Sequence, residues 1–315
     1  MKIIVRGLLL TSFVALSVAQ QGPRVKPAWA FPVADKDQPV VREAPEARQM
    51  PGSTKSYTPA QIDDLLNPPD WFPEEHGPLP QIVQKGRAPD ALACASCHLM
   101  SGKGHPESAD ISGLPVEYLI STMNDFKNGT RIDTARRMNS IAKALSDEEI
   151  HQASEWASHL KPGGWIKVVE SDTPPKSYVN AKGRMRLPHP AGGTEPLGNR
   201  IIELPDDAAR ATSRDPKSGF TAYVPPGSIA KGSALANAAP GKTMTCSICH
   251  GEGLKGQGAV PRLAGMHPIY IVRQLSNFQT GGNTGSSAAT MKKVVANLTE
   301  DDMLSLAAYA SSLAP

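Results

Sequence analysis

Aromatic residues make up only 5% of this 315-residue chain, fewer than two ordinary apolar cores would draw on. Long hydrophobic runs are missing too. Leu8 to Val18 is mostly apolar, but it is short for a membrane span, and nothing else is longer. The formal net charge is only +3, with no basic stripe carrying interleaved aromatics, which speaks against a nucleic-acid partner. Cysteine is sparse as well. There are 4, and none lies outside Cys94-Ala95-Ser96-Cys97-His98 and Cys246-Ser247-Ile248-Cys249-His250.

Proline and glycine, by contrast, are plentiful, at 29 and 27. They divide the chain. Residues 1–19 read as a signal peptide: Lys2 and Arg6 precede the apolar run, and Ser17-Val18-Ala19 offers small residues for cleavage near Ala19. The alternative is an uncleaved anchor. The expected mature protein is periplasmic, soluble or peripherally attached to a membrane. Residues 20–88 form a Pro-rich arm expected to pack on the first Cys-bearing unit, with Trp71-Phe72 as its lone aromatic pair. Residues 89–162 and 233–315 each begin near a Cys motif. Between them, 163–232 is dense in turn signals and irregular, apart from two stretches that suit brief strands, Trp165 to Val169 and Arg200 to Leu204.

The two Cys-bearing units are copies of each other. A shift of 152 superposes Cys94 on Cys246, His98 on His250, Gly113 on Gly265, Tyr118 on Tyr270, Phe126 on Phe278 and Gly129 on Gly281. One inserted residue changes the shift to 153 and places Met138 on Met291, Leu145 on Leu298 and Trp156 on Tyr309. Each copy reads as helical. Gly129 suits a helix C-terminal cap, and Ser146-Asp147-Glu148-Glu149 and Thr299-Glu300-Asp301-Asp302 are capping boxes that open a last helix. The fold class is therefore mainly α.

Cys-x-x-Cys-His has a specific chemical use. Thiols three residues apart each form a thioether with a haem vinyl group, and the adjacent His ligates the iron. Two covalently bound c-type haems would also supply the planar apolar bulk that the aromatics do not. A four-thiolate zinc site, a pair of small disulfides and two thioredoxin-like motifs compete. Against them, about 150 residues separate the pairs, each pair has its own His, and no βαβ pattern surrounds either. For the sixth ligand, Met100, Met123, Met138, Met266, Met291 and Met303 are available; only Met138 and Met291 align as Met on Met, 40 and 41 residues after the His. The expected site is Cys94, Cys97, His98 and Met138 in one unit, and Cys246, Cys249, His250 and Met291 in the other. His/Met ligation leaves no open position, which suits electron carriage. His105, His151 and His267 have no counterpart across the repeat. Arg131 is a candidate for pairing with a haem propionate. Lys127, Arg131, Arg136, Arg137 and Lys143 give the first unit a basic rim near Met138.

With these residues in place, the chain resembles class I cytochromes c, specifically exported members with two tandem haem domains. The Cys-x-x-Cys-His motif, the Tyr-to-Phe-to-Gly spacing, the ligand Met and the capped last helix carry the resemblance, which covers about half the chain. It implies that the Pro261 carbonyl accepts a hydrogen bond from His250. It does not extend that contact to the first unit, where Ala109 stands at the aligned position. It also implies electron transfer between redox protein partners, a dehydrogenase or quinol-oxidising donor and a downstream acceptor, with the chain acting as a shuttle or a complex subunit rather than an enzyme. The competing implication is a two-haem peroxidase.

Overall fold

The computed structural model describes residues 26–41, 44–237 and 239–315; the expected signal peptide lies outside them. The arm is short pieces held by proline and caps: a 3₁₀ turn (Ala28–Ala30), β1 (Arg48–Gln49), β2 (Ser56–Tyr57), α1 (Pro59–Ile62) and α2 (Gln81–Gln84). The first unit comprises α3 (Ala95–His98), α4 (Val116–Asn128), α5 (Arg137–Ala144) and α6 (Asp147–His159). Gly129 closes α4 in the left-handed region at φ 76°, and Ser146 and Glu149 form the capping box of α6. Both signals follow from backbone chemistry, since glycine alone enters that region without a Cβ clash.

The connecting segment is more ordered than its composition suggests. β3 (Ile166–Glu170), β4 (Ser177–Val179), β5 (Arg186–Pro188), β6 (Ile202–Pro205), α7 (Ala208–Thr212) and β7 (Phe220–Val224) lie in it. β7 is central in a three-stranded sheet, parallel to β3 and antiparallel to β6, and β4 pairs with β5 as a separate ribbon. The two stretches read as brief strands become β3 and β6. β7, whose Phe220, Ala222 and Val224 alternate inward, joins them.

The second unit comprises α8 (Ser228–Asn237), α9 (Ser247–His250), α10 (Pro268–Thr280), α11 (Ala288–Val295) and α12 (Glu300–Ser312). α8 begins upstream of residue 233 and crosses α12 closely, because Gly232 meets the Ser305 carbonyl where any Cβ would overlap it. The position equivalent to Gly232 by the repeat is Pro80. There the chain runs Gly77-Pro78-Leu79-Pro80, which delays the helix, so α2 is only one turn long.

One apolar core runs through both units. Leu114, Leu119 and Ala157 of the first join Ile201 and Val224 of the connecting segment and Met266, Val272 and Leu304 of the second. The arm spans all three parts rather than the first unit alone. Ala30 is buried in that core, the Trp29 indole donates to Glu300 at 2.7 Å, and the Trp71 indole donates to the Ser213 carbonyl at 2.8 Å.

Candidate haem-binding sites

In each unit a single helical turn presents the motif. Cys94 caps α3 and Cys246 caps α9, and the amide of each His bonds back to the first Cys carbonyl, at 3.0 Å for His98 and 2.9 Å for His250. All four thiols are free of disulfides. Burial pushes the Cys94 thiol up to about 12 and raises Cys246 as well. For Cys94 and Cys246 burial thus favours the protonated thiol over the thiolate. Among the described residues no three His, Cys, Asp or Glu side chains converge, so the two pairs do not form one four-thiolate set.

The His rings are oriented by backbone. His98 Nδ1 donates to the Ala109 carbonyl and His250 Nδ1 to the Pro261 carbonyl, both at 2.8 Å. A carbonyl only accepts, so Nδ1 carries the proton and Nε2 keeps its lone pair for a metal. Burial lowers the pKa of both rings and keeps them neutral. The Ala109 contact is one the resemblance alone did not carry over. The acceptor is a main-chain oxygen, so the loop path matters and the proline ring does not.

Met138 lies on α5 and Met291 on α11. Met138 and Cys94 border one apolar cluster with Ile82, Ile141, Leu145 and Ile150; Met291 and Cys246 border another with Leu235, Val295, Leu298 and Leu306. Met123 and Met303 touch the same clusters without a repeat partner, whereas Met100 and Met266 are buried in others. His151 is exposed on α6, and His267 is fully buried against Glu203. A free motif thiol and a Met beside one apolar cluster, with a motif His that keeps a nitrogen available, fit a covalently held haem in both units.

The units meet about a local two-fold. Residues 130–132 and 282–284 run antiparallel, with Arg131 opposite Asn283, its own counterpart in the repeat. The Arg131 guanidinium is buried between α4 and α10, donating to Tyr270 Oη and Gln274 Oε1, each at 2.9 Å, and to Thr122 Oγ1 at 3.1 Å. No carboxylate partners it among the described residues. A buried guanidinium bonded only to neutral oxygens favours a nearby anion, and a haem propionate is one. Arg131 therefore leaves the expected basic rim. Lys127 is also drawn away, into an ion pair with Asp147 at 2.8 Å. Arg136, Arg137 and Lys143 remain exposed.

A second inter-unit contact involves residues that sequence reasoning passed over. Asp110 and Arg262 occupy equivalent positions under the shift of 152, and their side chains, 1% and 3% exposed, pair at 2.6 Å. Asp110 comes directly after Ala109, and Arg262 directly after Pro261. The ion pair thus joins the two loops that hold the axial His rings. Opposite charges at repeat-equivalent positions beside those carbonyls were the available signal.

A profile of the cytochrome c family matches residues 229–314. Cytochrome c4 of Azotobacter vinelandii is 31% identical over 234 residues, 71% of this chain and 85% of that protein. A thiosulfate dehydrogenase electron acceptor of Thiomonas intermedia (strain K12) is 25% identical over 215 residues, covering 67% and 74%. A thiosulfate dehydrogenase structure from Marichromatium purpuratum shares the fold at a TM-score of 0.52 and 24% identity, over 74% of this chain and only 39% of the larger one. Two copies of one haem-motif domain, facing each other across a two-fold and matching cytochrome c4 over most of its length, place this chain in the class I cytochrome c family.

Proposed function

We propose that the chain is an exported electron-transfer protein carrying two covalently attached c-type haems. Cys94 and Cys97 hold the first and Cys246 and Cys249 the second; His98 with Met138, and His250 with Met291, are the axial ligands. The observation that carries this reading is the repeated constellation itself: in each unit the first motif Cys and the Met border one apolar cluster, and a carbonyl-anchored His closes the motif turn. Haem iron supplies a one-electron ferric–ferrous couple. The protein's own groups orient the rings, keep them neutral, exclude water and fix the separation of the centres through the inter-unit contacts. A periplasmic setting, peripheral membrane association included, is proposed from the N-terminal segment. Among the described residues no helix is long and apolar enough to cross a membrane.

The donor is proposed to be a dehydrogenase or a quinol-oxidising complex. Relatives named as a thiosulfate dehydrogenase electron acceptor and as the cytochrome subunit of a sulfide dehydrogenase support the dehydrogenase, with the chain as shuttle or subunit. Haem quantitation, optical spectra and a redox titration of the purified protein test the core claim. Two low-spin haems per chain with the weak ferric Met-to-iron band are expected. A high-spin component that reacts with peroxide would replace this reading with that of a peroxidase.

A further inference from the structure

The two motif turns are copies in sequence, yet their surroundings are opposite. Ser96 and Ile248 occupy the same position between the paired cysteines; Ser96 is 0% exposed and Ile248 is 66% exposed. Met244, two residues before the second motif, is 51% exposed, whereas its counterpart Leu92 is half-buried. The loops after the two motifs differ in the same sense. Residues 99–106 are buried or half-buried, while Glu252, Gly253, Lys255 and Gln257 to Ala259 are exposed.

Two pieces of chain close the first motif. Arg214, from the loop between α7 and β7, donates to the Ser96 carbonyl and, at 2.8 Å, to the Ile62 carbonyl of the arm. Trp71 secures that loop through Ser213. Leu99, immediately after His98, is buried in a cluster of Trp165, Tyr178, Met185, Leu187 and Phe220 from the connecting segment. It does so at φ 63°, where its counterpart is Gly251. A leucine held in that region is strained, and its burial under the cap offsets the strain. Among the described residues none of these covering segments has a counterpart over the second motif, where the aligned Ile248 and Met244 are exposed.

The open face exposes Met244 and Ile248, and the exposed Lys255, Lys292 and Lys293 around it outnumber its one exposed carboxylate, Glu252. The Thr243 hydroxyl donates to the Val294 carbonyl at 3.0 Å, which sets the Met244 segment along α11. Lys292 and Lys293 of α11 are exposed and have no carboxylate partner among the described residues. An apolar centre with a basic rim complements a surface of the opposite pattern.

Resting on the electron-transfer reading, we propose that this chain exchanges electrons with its protein partner through the second unit, by docking Met244, Ile248 and the α11 lysines against a redox protein with an apolar contact patch and an acidic rim. The arm and the connecting segment form a cap that denies the same approach to the first unit. The first haem then communicates through the second.

The test is stopped-flow oxidation of the reduced full-length holoprotein by an acidic blue-copper protein, with ferricyanide as a small reagent. The second-order rate with the copper protein should fall about tenfold in Met244→Ser/Ile248→Ser and in Lys292→Glu/Lys293→Glu. Its decline with ionic strength should flatten in the latter pair. Arg136→Glu/Arg137→Glu, on the first unit, should change the rate less than twofold. A larger effect of the first-unit reversal than of either second-unit pair would overturn the proposal, as would unchanged rates in both second-unit variants. Met244→Ser alone, outside the motif, serves if the double variant loads haem poorly. Haem content and potentials measured on the same samples separate the two claims. Two reversible haems with the wrong rate pattern sink the docking site only; absence of a reversible two-haem couple sinks the electron-transfer reading.

Discussion

His98 and His250 show how little side-chain chemistry a motif needs around it. Each ring is aimed by one carbonyl, from Ala109 and Pro261, at the same 2.8 Å. Replacing Pro261 by Ala should therefore leave the second centre's spectrum unchanged, and a lost Met-to-iron band would contradict this. Met138→Ala and Met291→Ala should each remove about half of that band while two haems remain attached, because the thioethers do not depend on the sixth ligand. His105 contributes a pH dependence of its own. Burial pushes it down to about 3, while in the unfolded chain it titrates at ~6.5. The folded protein binds fewer protons between those values, so stability falls as pH drops through that window. His105→Gln should flatten the acid side of the curve of urea midpoint against pH.

At the scale of elements, local signals and long-range packing divide the work. The caps at Ser146, Thr299, Gly129 and Gly281 are local, and the structure has all of them. The α8–α12 crossing is not local: it depends on Gly232 having no side chain where it meets Ser305. Gly232→Val should cost about 1–3 kcal/mol by overpacking, read as a lowered urea midpoint, whereas Ser146→Ala should cost only ~1 kcal/mol. An equal loss from the two would mean that α8 slides rather than locks. The brief strands β3 and β6 were legible as alternating runs. Their partner β7 and the pairing order were not, because a sheet assembled from segments some fifty residues apart leaves no local trace.

At the scale of the whole molecule, the repeat builds an asymmetric pair from similar halves. Two identical copies could not make Asp110–Arg262 across a two-fold; duplication followed by divergence could. Removing one partner should cost about 3–5 kcal/mol, since the other is left buried and charged, while an apolar pair such as Asp110→Leu/Arg262→Met should recover most of it. Because the pair adjoins both His-anchoring loops, Asp110→Asn should raise the midpoint potentials of both haems and Arg262→Gln should lower both: an unpaired positive charge favours the reduced iron and a negative one the oxidised. Movement of only one potential would show that the pair acts on one unit alone.

The motifs, the duplication, the choice of Met138 and Met291 as candidates and the helix caps are properties of residue type and spacing, and the sequence by itself determined them. What became of the Pro-rich arm and the Gly-rich connection was decided only by the tertiary structure. Their short elements acquire an interior only against other parts of the chain: Trp71 at Ser213, Leu99 beneath Trp165 and Phe220, and Arg214 over Ser96. Those contacts close one motif and leave its copy open. The distinction cannot be read from two nearly identical Cys-x-x-Cys-His turns, because burial belongs to the neighbours that folding brings and not to the residues themselves.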